Sequence, residues 1–159
     1  MHHQMPTPTD AHRKLARLAG TWRIEETMFP SPWDAKGGTA VGHSEVAVIL
    51  DGFYVQTTYH QERGGVITYR GLGVFGFDTQ SARYTMVWLD NMGAGCGVTP
   101  ALGTFEGERL VFEHAPFPGM SVRYVYDFEG DASYRFRLEN SADGGKTWVP
   151  FIEGLATRK

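Results

Sequence analysis

From Thr21 to the end of the chain, apolar and polar residues trade places at every second position, in segments bounded by glycine or by Asp-Gly, Glu-Gly and Gly-Gly pairs. That period belongs to strands with one face turned to a core, and the punctuation belongs to hairpin turns. The pattern predicts ten strands, over residues 21–29, 41–50, 53–62, 66–77, 83–90, 98–105, 108–114, 120–128, 133–140 and 146–158. Ahead of them the period is helical. Thr9 suits an N-cap, Asp10 stands at the positive end of the dipole, and Ala11, Leu15, Leu18 and Ala19 make one narrow apolar stripe over 10–19. Gly20 suits the position just past such a helix. A helix this short is not stable alone, so it must lie against the sheet.

Ten strands joined by short turns make an antiparallel meander, whose two bare edges disappear only if the sheet closes. The fold class predicted is therefore all-β: a closed up-and-down barrel with a short N-terminal plug helix. Residues 1–8 read as a flexible segment and 9–159 as one domain. Above eight strands a barrel is wider than side chains readily fill, which predicts an internal cavity. A two-residue turn at Asp51-Gly52 would pair Leu50 with Phe53, Val48 with Val55, Val46 with Thr57 and Ser44 with Tyr59 on the inner face. Ile49 with Tyr54, Ala47 with Gln56, Glu45 with Thr58 and His43 with His60 then face out. Trp22 turned inward brings Ile24, Glu26 and Met28 with it. Tyr84, Met86 and Trp88 are assigned inward because large aromatics contribute most when buried. Val122, Tyr124, Tyr126 and Phe128 share one face, as do Tyr134, Phe136 and Leu138, with Arg123, Arg135, Arg137 and Glu139 outside. Gly71, Gly73 and Gly76 within one strand mark a bend or a close approach to the backbone.

Composition changes this picture little. The formal charge is −3 with no basic stripe, which argues against nucleic acid and against a polybasic membrane contact. No apolar run approaches a membrane span and the N-terminus lacks an apolar signal core, so a cytoplasmic protein is expected. Oligomeric state stays open, a homodimer included. The single Cys96 forms no internal disulfide and reads as a small loop residue, and His2-His3 is too short a tract for a metal site. The glycine-rich stretch Asn91–Gly97 is the best candidate for a lid at a pocket mouth.

Three chemistries compete. Trp22, Met28, Tyr59, Met86, Trp88, Tyr124 and Phe136, with Glu26 among them, would wall a cavity for a small apolar or aromatic ligand, as in a carrier or sensor. Glu26, desolvated in such a barrel, would instead serve as a general acid or base with Asp90 or His114 nearby, or be paired with a cation such as Arg70. On the outer face His43, His60 and Glu45 offer two imidazoles and a carboxylate to a metal.

Gly20-Thr21-Trp22, opening the first strand after a short helix, resembles the Gly-x-Trp signature of the calycins, which include lipocalins, fatty-acid-binding proteins and the nitrobindin-like group. His12-Arg13-Lys14-Leu15, Leu18-Ala19-Gly20-Thr21-Trp22, Ile49-Leu50-Asp51-Gly52-Phe53, the run Gly71 to Asp78 and Trp88-Leu89-Asp90 together resemble an uncharacterised bacterial family of small lipocalin-like domains. The resemblance implies structural roles for Gly20 and Trp22, with Arg158 of the last strand lying over the indole as a cation–π partner. Nitrobindin-like relatives hold haem through a histidine near the C-terminus. The last histidine here is His114, and Arg23-Ile24-Glu25-Glu26 replaces the glycines expected after the motif, so haem is not expected. Ser141-Ala142-Asp143-Gly144-Gly145-Lys146-Thr147-Trp148 resembles an Asp-box hairpin. A single copy with no internal repeat reads as a turn and carries no glycosidase implication.

Overall fold

The structure is a computed structural model that describes residues 4–32, 34–93 and 99–159. The expectations at His2, His3 and Cys96, and most of the Asn91–Gly97 loop, lie outside the described residues. Helix α1 (Asp10–Leu15) begins where Thr9 predicts and tightens into a 3₁₀ turn over Ala16–Leu18. The Thr9 backbone N–H donates to His12 Nδ1 at 3.0 Å. His12 turns inward with Leu15 and meets Phe53 and Phe77 edge-on, so the buried stripe of the helix is more polar than its sequence suggests.

Ten antiparallel strands follow: β1 (Gly20–Met28), β2 (Gly38–Ile49), β3 (Tyr54–Arg63), β4 (Val66–Asp78), β5 (Arg83–Asp90), β6 (Ala101–Glu106), β7 (Arg109–Phe117), β8 (Met120–Glu129), β9 (Ser133–Ser141) and β10 (Val149–Arg158). Each pairs with its neighbours in sequence, and β1 pairs with β10, closing the barrel from Trp22↔Arg158 to Met28↔Ile152. Among the described residues, no helix is long and apolar enough to cross a membrane. The short β6 pairs with β5 from Tyr84↔Gly103 to Met86↔Ala101, so Val87–Asp90 have no ladder partner on that side among the described residues.

Gly20 opens β1 instead of capping the helix. Its φ of +132° suits glycine, and a Cβ there would stand 2.1 Å from the Arg158 guanidinium. The hairpin after β2 also differs from a two-residue turn. Leu50, Asp51 and Gly52 all take positive φ in a 3₁₀ turn, and the ladder ends at Ile49↔Tyr54. Parity is kept, so Val48↔Val55, Val46↔Thr57 and Ser44↔Tyr59 pair as the pattern requires, while Leu50 is left exposed outside the ladder.

The closed end of the barrel is a packed core. Leu15 and Leu18 belong to one buried cluster with Trp22, Val55, Phe75 and Phe112, and the Tyr84 hydroxyl donates to the Ala11 carbonyl at 2.9 Å. On the outer wall Arg123 and Arg137 form ion pairs with Glu139, and Val125 is buried between its cross-strand partners Val111 and Arg137. The hairpin between β9 and β10 is held by Asp143, whose Oδ1 accepts from the N–H groups of Lys146 at 3.0 Å and Thr147 at 2.9 Å. Its Oδ2 accepts from the Thr147 hydroxyl at 2.5 Å, so β10 starts at Val149 and not at Lys146. These donors pull the Asp143 carboxyl down to about 2. A lowered carboxyl stabilises the fold above its unfolded value and loses that contribution as pH falls through the folded one. Asp143→Ala should therefore melt below the parent at neutral pH, and the gap should close as pH falls toward 2; a gap in thermal scans that ignores pH would contradict this.

Candidate functional site

A cavity of about 440 Å³ runs from Leu18 at the helix end to Met92 beyond β5 at the open end. Its wall is mostly aromatic and aliphatic, as ligand cavities are, with a few polar groups converging on it. Of the residues assigned to a cavity from sequence, Glu26, Met28, Tyr59, Met86, Trp88, Tyr124 and Phe136 all line it. Trp22 does not. It is 1% exposed beneath the helix, its Nε1–H donates to the Leu18 carbonyl at 2.8 Å, and the Arg158 guanidinium lies 4.2 Å from its ring, the partnership that the calycin resemblance implies.

Two polar clusters stand in the apolar wall. In the first, Glu26 is 5% exposed, and its carboxylate accepts from the Tyr59 hydroxyl at 2.6 Å on Oε1 and from Gln61 Nε2 at 2.6 Å on Oε2. Burial raises its pKa above the ordinary value of 4.5, against the lowering pull of those two donors and of the Arg63 charge. The first two causes oppose each other at one carboxyl: desolvation favours the proton, the donors favour its loss. Arg70 is exposed on the opposite face of the sheet and is not the partner of Glu26.

The second cluster lies along β4 and β5. Trp88 Nε1–H donates to the Tyr69 hydroxyl at 2.7 Å, and Tyr69 donates to Asp90 at 2.9 Å. Burial pushes both Tyr59 and Tyr69 well above an ordinary phenol, joined at Tyr59 by the Glu26 charge and hydrogen bond and at Tyr69 by the bond to Asp90, so they act as donors and not as phenolates. The two clusters meet where Tyr59 stands edge-on to Tyr69, with ring centroids 5.9 Å apart.

Glycines make the space for both. A Cβ on Gly42 would fall 2.6 Å from Glu26 Oε1 and 2.8 Å from the Tyr59 ring. Gly71 and Gly73 lie under the Trp88 indole, at 2.2 Å and 2.8 Å from such a Cβ. The glycine spacing read from the sequence as a close approach is thus the bed of a tryptophan.

The catalytic trio considered from sequence does not assemble. Asp90 lines the cavity with Glu26, but His114 lies on β7 opposite Val122 and off the cavity lining, its pKa lowered by burial. Sequence reasoning missed Gln61 and Tyr69. Each carried a signal: Gln61 is in phase with Val55, Thr57 and Tyr59, and Tyr69 with Gly71 and Gly73.

Outside the barrel, His43 and His60 face each other across β2 and β3, with stacked rings 4.8 Å apart. Glu45 is exposed, and the carboxylate beside the imidazoles is Glu62 instead, 3.5 Å from His60 Nε2 and 4.0 Å from His43 Nε2.

Residues 7–158 match the model of a family described as protein of unknown function (DUF1579). Two solved structures share the fold. Rv2717c from M. tuberculosis has 13% identity and a TM-score of 0.63, over 95% of this chain and 98% of that one. The S-type phycobiliprotein lyase CPES from Guillardia theta has 9% identity and a TM-score of 0.65, over 92% and 91%. No curated protein sequence matches the chain.

Proposed function

We propose that this chain, which belongs to the family of proteins of unknown function DUF1579, binds one small, largely aromatic or apolar molecule inside its barrel. The fold neighbours are too distant in sequence to carry a ligand across, so the reading rests on the cavity itself. The observation that carries it is a buried carboxyl, Glu26, set with its two donors in an aromatic wall of about 440 Å³. Such a wall gains from any apolar surface it covers, at roughly 25 cal/mol per Å². A single buried carboxyl adds direction: it favours a ligand whose one polar group is a hydrogen-bond donor, such as an amine or N–H heterocycle.

The neutral aromatic amine N-phenyl-1-naphthylamine tests this. Titration should give a saturable, one-to-one rise in dye fluorescence with quenching of tryptophan, since Trp88 is in the wall. Glu26→Gln should weaken binding by about tenfold, the worth of one hydrogen bond to a charged group. A linear, unsaturable signal, together with a bare mass in native mass spectrometry, would sink the proposal.

The stability of Glu26→Gln has a defined pH course. A carboxyl with a raised folded pKa contributes stability below its unfolded value, near 4.5, and loses it as pH rises through the folded value. The variant lacks that loss, because a glutamine side chain has no proton to release over this range. The stability difference between variant and parent should shift in the variant's favour as pH rises from 4 through neutrality in urea titrations. A difference independent of pH would count against a raised Glu26.

A further inference from the structure

We propose a divalent transition-metal site on the outer wall of the barrel, made by His43 of β2 and by His60 and Glu62 of β3, with zinc as its type ion. Ligand atoms from the three residues all lie within 4.8 Å of one another. His60 Nε2 is 3.5 Å and His43 Nε2 is 4.0 Å from Glu62 Oε1. Zinc held at about 2.0–2.1 Å by imidazole and carboxylate in a tetrahedron needs ligand atoms about 3.3–3.5 Å apart. Small side-chain rotations on a fixed backbone supply the difference. The backbone is fixed because His43 and His60 are direct cross-strand partners, and Glu62 follows His60 by two positions on the same face. All three side chains are about a quarter to a third exposed, which leaves the fourth position of the tetrahedron to water.

The surroundings select the kind of ion. Arg23 is the cross-strand neighbour of His43 and Arg70 that of His60, and Lys159 Nζ lies 3.0 Å from His43 Nδ1. These cations disfavour a site that works by charge alone, as calcium and magnesium sites do. They are tolerable to an ion bound through imidazole nitrogen, which zinc, nickel and copper prefer. Lys159 opposes the metal in a second way. As the donor to Nδ1 it places the His43 proton on Nε2, the atom that must be bare to bind, so metal entry requires Lys159 to swing off and the tautomer to change. Its exposed side chain is free to do so.

Zn²⁺ alone, titrated into the full chain by calorimetry, is the test, with Co²⁺ absorption as a readout of tetrahedral nitrogen and oxygen ligation. Wild type should bind one ion that His60→Ala and Glu62→Gln weaken tenfold or more. Glu45→Gln should leave affinity within about twofold, and Lys159→Met should tighten it. Any binding at His2 and His3 is common to every variant and cancels in the comparison. Melting scans without metal check that the variants fold, as substitutions on an outer face should. A wild type that binds Zn²⁺ no more tightly than His60→Ala overturns the site. So does dependence on Glu45 in place of Glu62, or weaker binding by Lys159→Met.

Discussion

Replacing Trp22 by alanine should cost the barrel about 3–5 kcal/mol, the usual range for an aromatic removed from a full core. The indole is 1% exposed and serves three structures at once. It fills the space under the plug helix, it satisfies the Leu18 carbonyl where the 3₁₀ turn ends, and it is the surface on which Arg158 rests while donating to the Ala19 carbonyl. Alanine leaves a cavity beneath the helix, an acceptor without its donor, and a guanidinium without its ring. Equilibrium urea unfolding should show the loss as a lower midpoint with an unchanged slope. Because Trp22 does not line the ligand cavity, the variant that remains folded should bind N-phenyl-1-naphthylamine within about twofold of the parent. A loss below about 1 kcal/mol, or a collapse of dye affinity in the folded variant, would contradict this division between closed end and cavity.

Gly71→Val should act in the opposite place, lowering dye affinity at least tenfold while costing about 1–3 kcal/mol of stability, the range for overpacking. A Cβ at Gly71 would stand 2.2 Å from the Trp88 ring, and β-branching makes avoidance harder. The indole has to leave its bed on β4, and the way open to it is the cavity. In leaving it breaks its bond to the Tyr69 hydroxyl, which is the donor to Asp90. One substitution on the backbone side of the wall thus disturbs the volume of the cavity and its second polar cluster together. Dye titration and the tryptophan emission maximum would follow it. A variant with parental affinity and emission would show that Trp88 does not depend on the glycine bed.

The closed barrel was legible in the sequence because strand period and turn residues agree from Thr21 to Arg158. Asp51-Gly52 set the correct parity for β2 and β3 even though the turn there is longer than two residues, since parity alone decides which face is buried. Glu26 was legible as an inward carboxyl for the same reason. What stayed hidden depended on partners across the sheet. Alternation puts Trp22 inside without saying that the helix covers it. Gln61 looks like an ordinary polar strand residue until Glu26 is placed within its reach, across Gly42 of β2. Glu45 and Glu62 are equivalent diagonals of the His43↔His60 pair in an ideal ladder. The structure turns the Glu62 carboxylate to the imidazoles and leaves Glu45 exposed, a choice that periodicity does not encode.

The seam between β1 and β10 gives the barrel a history as well as a shape. Nine of its ten ladders join strands adjacent in sequence, and each asks the chain to close only a short loop. The tenth brings Trp22 to Arg158 across well over a hundred residues. Closing so long a loop costs about 2 kcal/mol more than closing a ten-residue hairpin if nothing is yet formed between its ends. That cost disappears once the intervening meander has curled, so the seam is the pairing expected to form last. Trp22 stands on the seam, and its burial marks the moment at which a curved sheet becomes a barrel.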